Sequence, residues 1–490
     1  MTGRSTSRIA SLALPIVAVL AMSMGGAFLA QRTGPGVSLA VTLFFALLLA
    51  CFLNTELGLH IILLSMLLSP EIVVGGIGGI SIGKPKIKGD LLVLRIEDLV
   101  LLAVAFAWFA RAAIFKELGL IRKTPLNTPI FSYIAAMIVA TLLGVFVGNV
   151  RPIRGFFFTL KFIEFFVVYF MTTNYIHEER QVRRLLTTTF LTCAISSIIG
   201  ILQIPSGERV AAPFEGAFGE PNTFGGYLVF MLALVLGVAL SAKTLPSQVG
   251  WWSFAGLVIL PLLYTLSRTS WLAAIPMLLT LTCLSPRRLV LVLSLGVMMV
   301  IGGSVFPKQV LDRYDYTFHA REDRGDYSIG GARFDTSTSA RFDSWKQGIQ
   351  AWTKRPLWGY GVTGFAFMDS QFVRVLVETG SLGLLAFFWL LGQVFRSAHA
   401  TCKRLRNTRF EGLTIGYLAG FVAMVTHCIG ANTFIIVRIM EPFWFMTGII
   451  VVLSSLFPDG KQAATVLTPP RDLRANMQAG KPRGQLTPAP

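Results

Sequence analysis

The sequence is short of charge, cysteine and metal-binding patterns, and each shortage narrows what the protein can be. Only 14% of its residues are Asp, Glu, Lys or Arg, against about 25% in soluble domains. A chain so poor in charge cannot cover a soluble globule with solvated side chains. Its 54% of hydrophobic residues are gathered into repeated long runs, which marks a polytopic membrane protein. The five cysteines (Cys51, Cys193, Cys283, Cys402 and Cys428) lie in or beside those runs at no metal-ligand spacing, so neither a disulfide framework nor a zinc site is expected. The Gly-rich turn at 359–364 is followed by no Gly-Lys-Ser/Thr and preceded by no strand pattern, which excludes a P-loop and a dinucleotide fingerprint. Asp312-Arg313-Tyr314-Asp315 has the wrong spacing for the Asp-x-Asp pair that would hold a nucleotide sugar's metal. No internal repeat is visible, whereas transporters often show inverted repeats in matching halves.

Acidic residues are scarcer than basic ones, 25 against 43, for a formal net charge of +18. Cytoplasmic loops of membrane proteins collect Lys and Arg, so the excess calls for a lipid bilayer as partner and not for nucleic acid. The hydropathy pattern predicts an all-α polytopic protein with about 14 transmembrane helices, near 9–30, 37–54, 57–75, 97–115, 129–148, 155–175, 185–204, 224–242, 249–266, 269–284, 287–306, 372–395, 411–431 and 433–457. The expected organisation is 1–306 with helices 1–11, a large polar loop at 307–370, helices 12–14 at 371–457, and a disordered cytoplasmic tail at 458–490 rich in Pro, Gly, Gln and Thr. The first apolar run follows Arg4 and Arg8 and is too long for a signal-peptide core, so it reads as a retained helix. Basic connections at 111–128, 177–184 and 396–409, with Arg287-Arg288, fall on one side when the spans alternate. That side and both termini are then cytoplasmic, and the large loop faces outward.

Several arginines remain on the outward side, against that rule: Arg151, Arg154, Arg209, Arg268, Arg341 and Arg374. Each alone could snorkel to headgroups. A converging set suits phosphate, because guanidinium is permanently charged, planar and bidentate to phosphate oxygens. Arg209 precedes Phe218-Gly219-Glu220-Pro221-Asn222, where Asn222 or Thr223 can cap the next helix and free amides favour an anion. Ser267-Arg268-Thr269-Ser270-Trp271 places a cation between two apolar runs, a position costly enough to suggest function. Lys161 with Glu164, and Arg438 with Glu441, are spaced to pair on one helix face, a structural role. His427 reads as a satisfied intramembrane histidine.

The polar loop is the richest stretch, with nine Lys/Arg, eight Asp/Glu and His319. From Arg341, the 3–4 spacing of Phe342, Trp345, Ile349 and Trp352 predicts an amphipathic helix lying over the membrane domain. Trp345, Trp352 and Trp358 are available to pack on the bundle. After Gly359-Tyr360-Gly361 comes Asp369-Ser370, and a helix starting near Ser370 sets Arg374 and Glu378 on one face. Asp369 at its start is a cap or a general base.

In order, four stretches resemble the bacterial superfamily of O-antigen ligases and O-antigen polymerases, which are polytopic glycosyltransferases. They are Arg209 with Pro221-Asn222 and Gly225-Gly226-Tyr227; Ser267-Arg268-Thr269-Ser270-Trp271; Arg341 with Trp345, Pro356, Gly359 and Gly361; and Asp369-Ser370 with Glu378, Gly380, Gly383 and Leu384. The resemblance implies a GT-C-like helical bundle in the bacterial inner membrane, with the large loop in the periplasm. It implies an undecaprenyl-diphosphate-linked saccharide as donor and a saccharide as acceptor. By analogy Arg209, Arg268 and Arg341 hold the diphosphate, Arg374 and Arg154 are further substrate-binding candidates, and Asp369, Glu378 and Arg341 are the catalytic candidates. Ligases of this family carry His-Asn where this chain has Asp369-Ser370, which moves the reading toward a polymerase of O-antigen or exopolysaccharide. A ligase and a flippase of lipid-linked saccharides are the alternatives. No metal or cofactor is required, because the donor is already activated as a diphosphate ester. A chain-length regulator is a partner on which the sequence is silent.

Overall fold

The structure is a computed structural model that describes residues 35–69, 71–74, 92–114, 121–214, 219–293, 296, 308–312, 328–329, 332–333, 336–366 and 368–458. Its helices are α1 Pro35–Leu53, α2 Thr55–Leu68, α3 Ile96–Ile114, α4 Asn127–Phe146, α5 Pro152–Tyr175, α6 Glu179–Gln203, α7 Pro221–Ser241, α8 Leu245–Tyr264, α9 Arg268–Leu284, α10 Thr336–Lys354, α11 Gln371–Arg404, α12 Glu411–His427 and α13 Val437–Leu456. All but α10 fall on expected spans. The expected helix at 9–30, most of that at 287–306 and the tail from 459 lie outside the described residues. Seven helices (α4 to α8, α11 and α13) are long and apolar enough to cross a membrane, and α2, α9 and part of α1 are shorter apolar helices. The count of about 14 therefore remains an expectation, while a helical membrane protein is what the structure presents.

The all-α expectation needs two small amendments. Strands β1 Glu71–Val74 and β2 Leu92–Arg95 pair antiparallel, with Glu71 opposite Arg95. Two-residue strands β3 Ser328–Ile329 and β4 Ala332–Arg333 do the same in the large loop. The helix expected over 57–75 stops at Leu68 because Ser69 takes extended φ/ψ ahead of Pro70, as residues before proline do.

Local chemistry sets several other ends. The Asn54 side chain accepts the amides of Glu56 and Leu57 at 3.0 and 3.3 Å and so starts α2. Glu178 and Gln181 form a capping box at α6. Proline stands in the first turn of α5, α7 and α8, where the missing N–H costs nothing. Helix α7 opens at Pro221 with Glu220 in the cap position, two residues earlier than Asn222 and three earlier than Thr223 would have set it. The Thr223 hydroxyl donates instead to the Glu220 carboxylate, at 3.5 Å.

Helix α7 is the axis of the bundle, buried along nearly its whole length, and α13 is almost as enclosed. Among apolar helices in lipid, close packing replaces the hydrophobic drive, and small residues at the seam permit it. Gly412, Gly416 and Gly420 repeat every four residues along α12 and face α7; a Cβ on Gly237 of α7 would collide with the Gly412 carbonyl. Helix α12 also packs on α9, and α11 on α4 and α13. Those contacts bring the N-termini of α7, α9, α11 and α13 to the end of the bundle where α12 finishes.

Candidate functional site

The polar loop enters this end through a break in α11. Gly380 has φ 68° and ψ −171°, outside helical space, so the carbonyls of the preceding turn lose their helical partners. The turn after α10 supplies new ones. The Tyr360 amide donates to the Val377 carbonyl at 2.9 Å and the Gly361 amide to the Glu378 carbonyl at 2.8 Å. In return the Ser381 amide and hydroxyl both donate to the Pro356 carbonyl, each at 2.8 Å. Side chains cannot fit this docking. A Cβ on Gly380 would collide with the Leu357 carbonyl, and one on Gly359 (φ 66°) with the Val377 carbonyl. Pro356, Gly359, Gly361 and Gly380, separate motif residues in sequence, are therefore the two halves of one joint.

Glu378 lies inside this joint, 6% exposed. Its Oε1 accepts from Arg374 Nε at 3.1 Å and from the Thr363 amide at 3.1 Å. Arg374 is 7% exposed. The i,i+4 spacing expected to place the two on one face does so. The carboxylate is occupied in fixing the joint.

Arg341 and Asp369 come together across the loop. Helix α10 begins at Thr336, five residues before Arg341. Its seam against α11 runs through Gly348, where a Cβ would meet Met368 and Val373, and through buried Ala351. Ile349, expected on the packed face, is 48% exposed. The seam turns one residue away because Gly348 allows close approach and Ile349 would hold the helices apart. Arg341 sits at the end of this seam with Nε 3.6 Å from Asp369 Oδ2. Asp369 keeps 45% of its side chain exposed, while Arg341 keeps 17%. Asp369 precedes Ser370, the N-cap residue of α11, and the Gln371 amide donates to the Cys428 carbonyl at 3.0 Å.

Other motif residues meet at His427, the last residue of α12. It is fully buried; its Nδ1 lies 2.8 Å from the Thr433 hydroxyl and its Nε2 3.2 Å from the Ser270 hydroxyl. The Ser270 hydroxyl donates to Ser267 Oγ at 2.9 Å, and Ser267 caps α9. Arg341 is within electrostatic reach of the ring. Gly225 and Gly226 make the assembly possible: a Cβ on the first would strike Ser270, and one on the second would press Ile439 and His427. The reading of His427 as satisfied stands. The Ser270 contact spans 157 positions and has no periodic signal, so only the three-dimensional fold could reveal it.

The remaining candidates divide. Arg268 is the first residue of α9, one position from the serine cap and on the same turn as Ser270. Arg209 braces that turn from behind, its Nε donating to the Thr265 carbonyl at 2.9 Å and its Nη2 to the Leu266 carbonyl at 3.3 Å. Arg154 is exposed on α5, 5.8 Å over the Phe158 ring, and none of the contacts described joins it to the cluster. Lys161 lies 3.6 Å from Glu164 as expected, but its nearer partner is Asp98 at 2.7 Å. Four buried polar atoms on the neighbouring segments, Ser344 Oγ, Trp345 Nε1, Trp271 Nε1 and Asn432 Oδ1, have no hydrogen-bond partner, as do others elsewhere among the described residues. Among the described residues no group of three or more His, Cys, Asp or Glu is arranged to hold a metal ion.

The fold is that of a helical membrane protein, with buried His427 and the Ser267, Ser270 and Thr433 hydroxyls in contact where several helix ends meet. Residues 253–388 match the family model described as O-Antigen ligase, which supports the superfamily of O-antigen ligases and polymerases for this chain. The match runs from α8 through α9 and α10 into α11. It contains Arg268, Arg341, Asp369, Arg374 and Glu378, and leaves Arg209 and His427 outside. No curated protein matches the chain.

Proposed function

We propose that the chain is an inner-membrane glycosyltransferase that polymerises undecaprenyl-diphosphate-linked saccharide units at the periplasmic face, with both termini in the cytoplasm. Two observations support this reading: Arg268 stands on the helix turn whose Ser270 hydroxyl meets buried His427, and Arg341 is ion-paired with a half-exposed Asp369. A saccharide hydroxyl of one unit attacks the anomeric carbon of the donor. The bond from that carbon to the diphosphate breaks, and the lipid diphosphate leaves. Asp369 accepts the hydroxyl's proton. Glu378 is not the base in this scheme, because its oxygen is held by Arg374 and the Thr363 amide. Arg341 and Arg268 meet the charge that develops on the leaving diphosphate, and preorganised donors of this kind commonly contribute more to rate than any other single effect. Arg209 serves by holding the Arg268 turn, and Arg374 by holding Glu378. Arg154 is left as a substrate contact at the outer rim.

Asp369-Ser370 in place of the ligase His-Asn favours chain extension over transfer of finished polymer. The test is the intermediate that accumulates when the gene is deleted. A polymerase leaves single lipid-linked repeat units on the periplasmic leaflet. Finished polymer still on its lipid would make the protein a ligase, and units trapped on the cytoplasmic leaflet would make it a flippase.

A further inference from the structure

Arg438, the second residue of α13, lies outside the matched stretch and has no part in the reaction proposed for the site. It is among the largest fully buried side chains of the protein, at 0% exposure. An arginine inside an apolar bundle is costly and is retained where its donors are used. Its Nη1 donates to the Pro213 carbonyl at 2.9 Å and its Nη2 to the Ser69 carbonyl at 3.1 Å. These acceptors belong to two otherwise separate pieces of chain: the connection between α6 and α7, and the C-terminal end of α2. Ser69 is itself fixed, its hydroxyl donating to Glu97 at 2.8 Å.

The Pro213 segment leads directly to the Arg268 turn. The Val210 amide donates to the Tyr264 carbonyl at 3.0 Å, and the Ala211 amide to the Gln203 side chain at 3.0 Å. Arg209 reaches the Thr265 and Leu266 carbonyls. Phe214, next to the anchored carbonyl, has φ 61°, a conformation that a free loop of L-residues would leave. One residue beyond Arg438, Ile439 packs on Gly226, beside His427. A single guanidinium thus ties α13 and α2 to the loop that braces Arg268.

We infer that Arg438 is a positioning residue for the proposed diphosphate site: by clamping the Pro213 and Ser69 carbonyls together it holds the 209–214 segment, and through it the Arg268 turn, in register. This rests on the polymerase reading only for its consequence on activity. The planar fork is essential, because an ammonium is a point donor that cannot span two carbonyls in fixed directions.

The experiment uses full-length protein in nanodiscs, comparing wild type with Arg438→Lys and Arg438→Gln. Amide exchange of 209–214 and 265–268 is measured together with donor KM and kcat, using a purified undecaprenyl-diphosphate-linked repeat unit. The expected result for Arg438→Lys is normal exchange in the middle of α7 and α13 and faster exchange at Val210 and Ala211. Donor KM rises by about tenfold or more, corresponding to ~1.4 kcal/mol, with kcat changed less. Arg438→Gln shows the same pattern more strongly. Unchanged exchange at 209–214 in a folded variant overturns the clamp. Faster exchange there with unchanged KM overturns the link to the site. Global loss of protection in both variants also overturns it, since the residue is then a general support of the bundle. Arg268→Ala, run in parallel, separates the two ideas: if it too is fully active, the failure belongs to the diphosphate reading and not to the clamp.

Discussion

The assignment of Glu378 to the loop joint and not to chemistry can be decided by a charge-removal cycle with Arg374. Both side chains are under a tenth exposed, at 9% and 7%, with 3.1 Å between Arg374 Nε and Glu378 Oε1. Glu378→Gln keeps a carbonyl oxygen for the Thr363 amide but takes the carboxylate charge away from a buried guanidinium. Removing one partner of a buried pair costs about 3–5 kcal/mol, most of it the penalty of the charge left behind. Arg374→Met combined with Glu378→Gln removes both charges at similar volume. It forfeits the pair's hydrogen bond, worth about 1.5–3 kcal/mol, but strands nothing. The double variant should therefore be more stable than Glu378→Gln alone, with a coupling energy on the order of 1–3 kcal/mol between the two positions. Thermal unfolding of the purified protein in detergent gives the ranking, and chain extension with lipid-linked units is measured on the same samples. The prediction is that the double variant recovers both stability and activity. A double variant that is stable yet as inactive as Glu378→Gln would show that the Glu378 carboxylate acts in the reaction and that Asp369 is wrongly named the base.

Further outcomes follow from the joint and the cluster. Gly380→Ala forces a Cβ into the Leu357 carbonyl at a backbone conformation that only glycine adopts readily; it should cost at least ~1–3 kcal/mol in backbone strain and make the 356–361 turn more susceptible to limited proteolysis than in the wild type. His427→Leu leaves the Ser270 and Thr433 hydroxyls without their ring partner. The Ser270 hydroxyl keeps its bond to Ser267 Oγ, so a loss of about 1–3 kcal/mol, mainly at Thr433, should appear as a lower unfolding temperature, and an unchanged temperature would mean that the Thr433 hydroxyl finds another partner.

The helices were legible because the membrane imposes one simple pattern, long apolar runs, and runs such as 224–242 and 433–457 carry it plainly. The loop's amphipathic helix was legible from its aromatic spacing, but its packed face was not. Ile349 is apolar wherever it points, and only contact with Met368 and Val373 shows that Gly348 is the residue on the seam. The arginines could be nominated one by one from the cost of placing them at outward helix ends. Their division of labour could not. Arg209 spends donors on the Thr265 and Leu266 carbonyls, Arg374 on Glu378, and Arg438 on Pro213 and Ser69. Backbone carbonyls are present at every position, so no sequence pattern announces which of them an arginine will reach. The break at Gly380 was hidden for the same reason: glycine is common in membrane helices, and the proof of a break is the Pro356–Gly361 turn that completes it.

The central claim, that Arg268 and Arg341 serve glycosyl transfer from a lipid diphosphate, is tested most directly by chain extension in a purified system. Wild type, Arg268→Ala and Arg341→Ala are each supplied with a purified undecaprenyl-diphosphate-linked repeat unit, with and without a chelator. Wild type should build polymer in both conditions. Each variant should lose about 100-fold or more in rate, the scale of losing one oxyanion donor, while remaining folded in the membrane at wild-type level. Full activity in either variant, or a wild-type reaction that stops when the chelator is added, would contradict it.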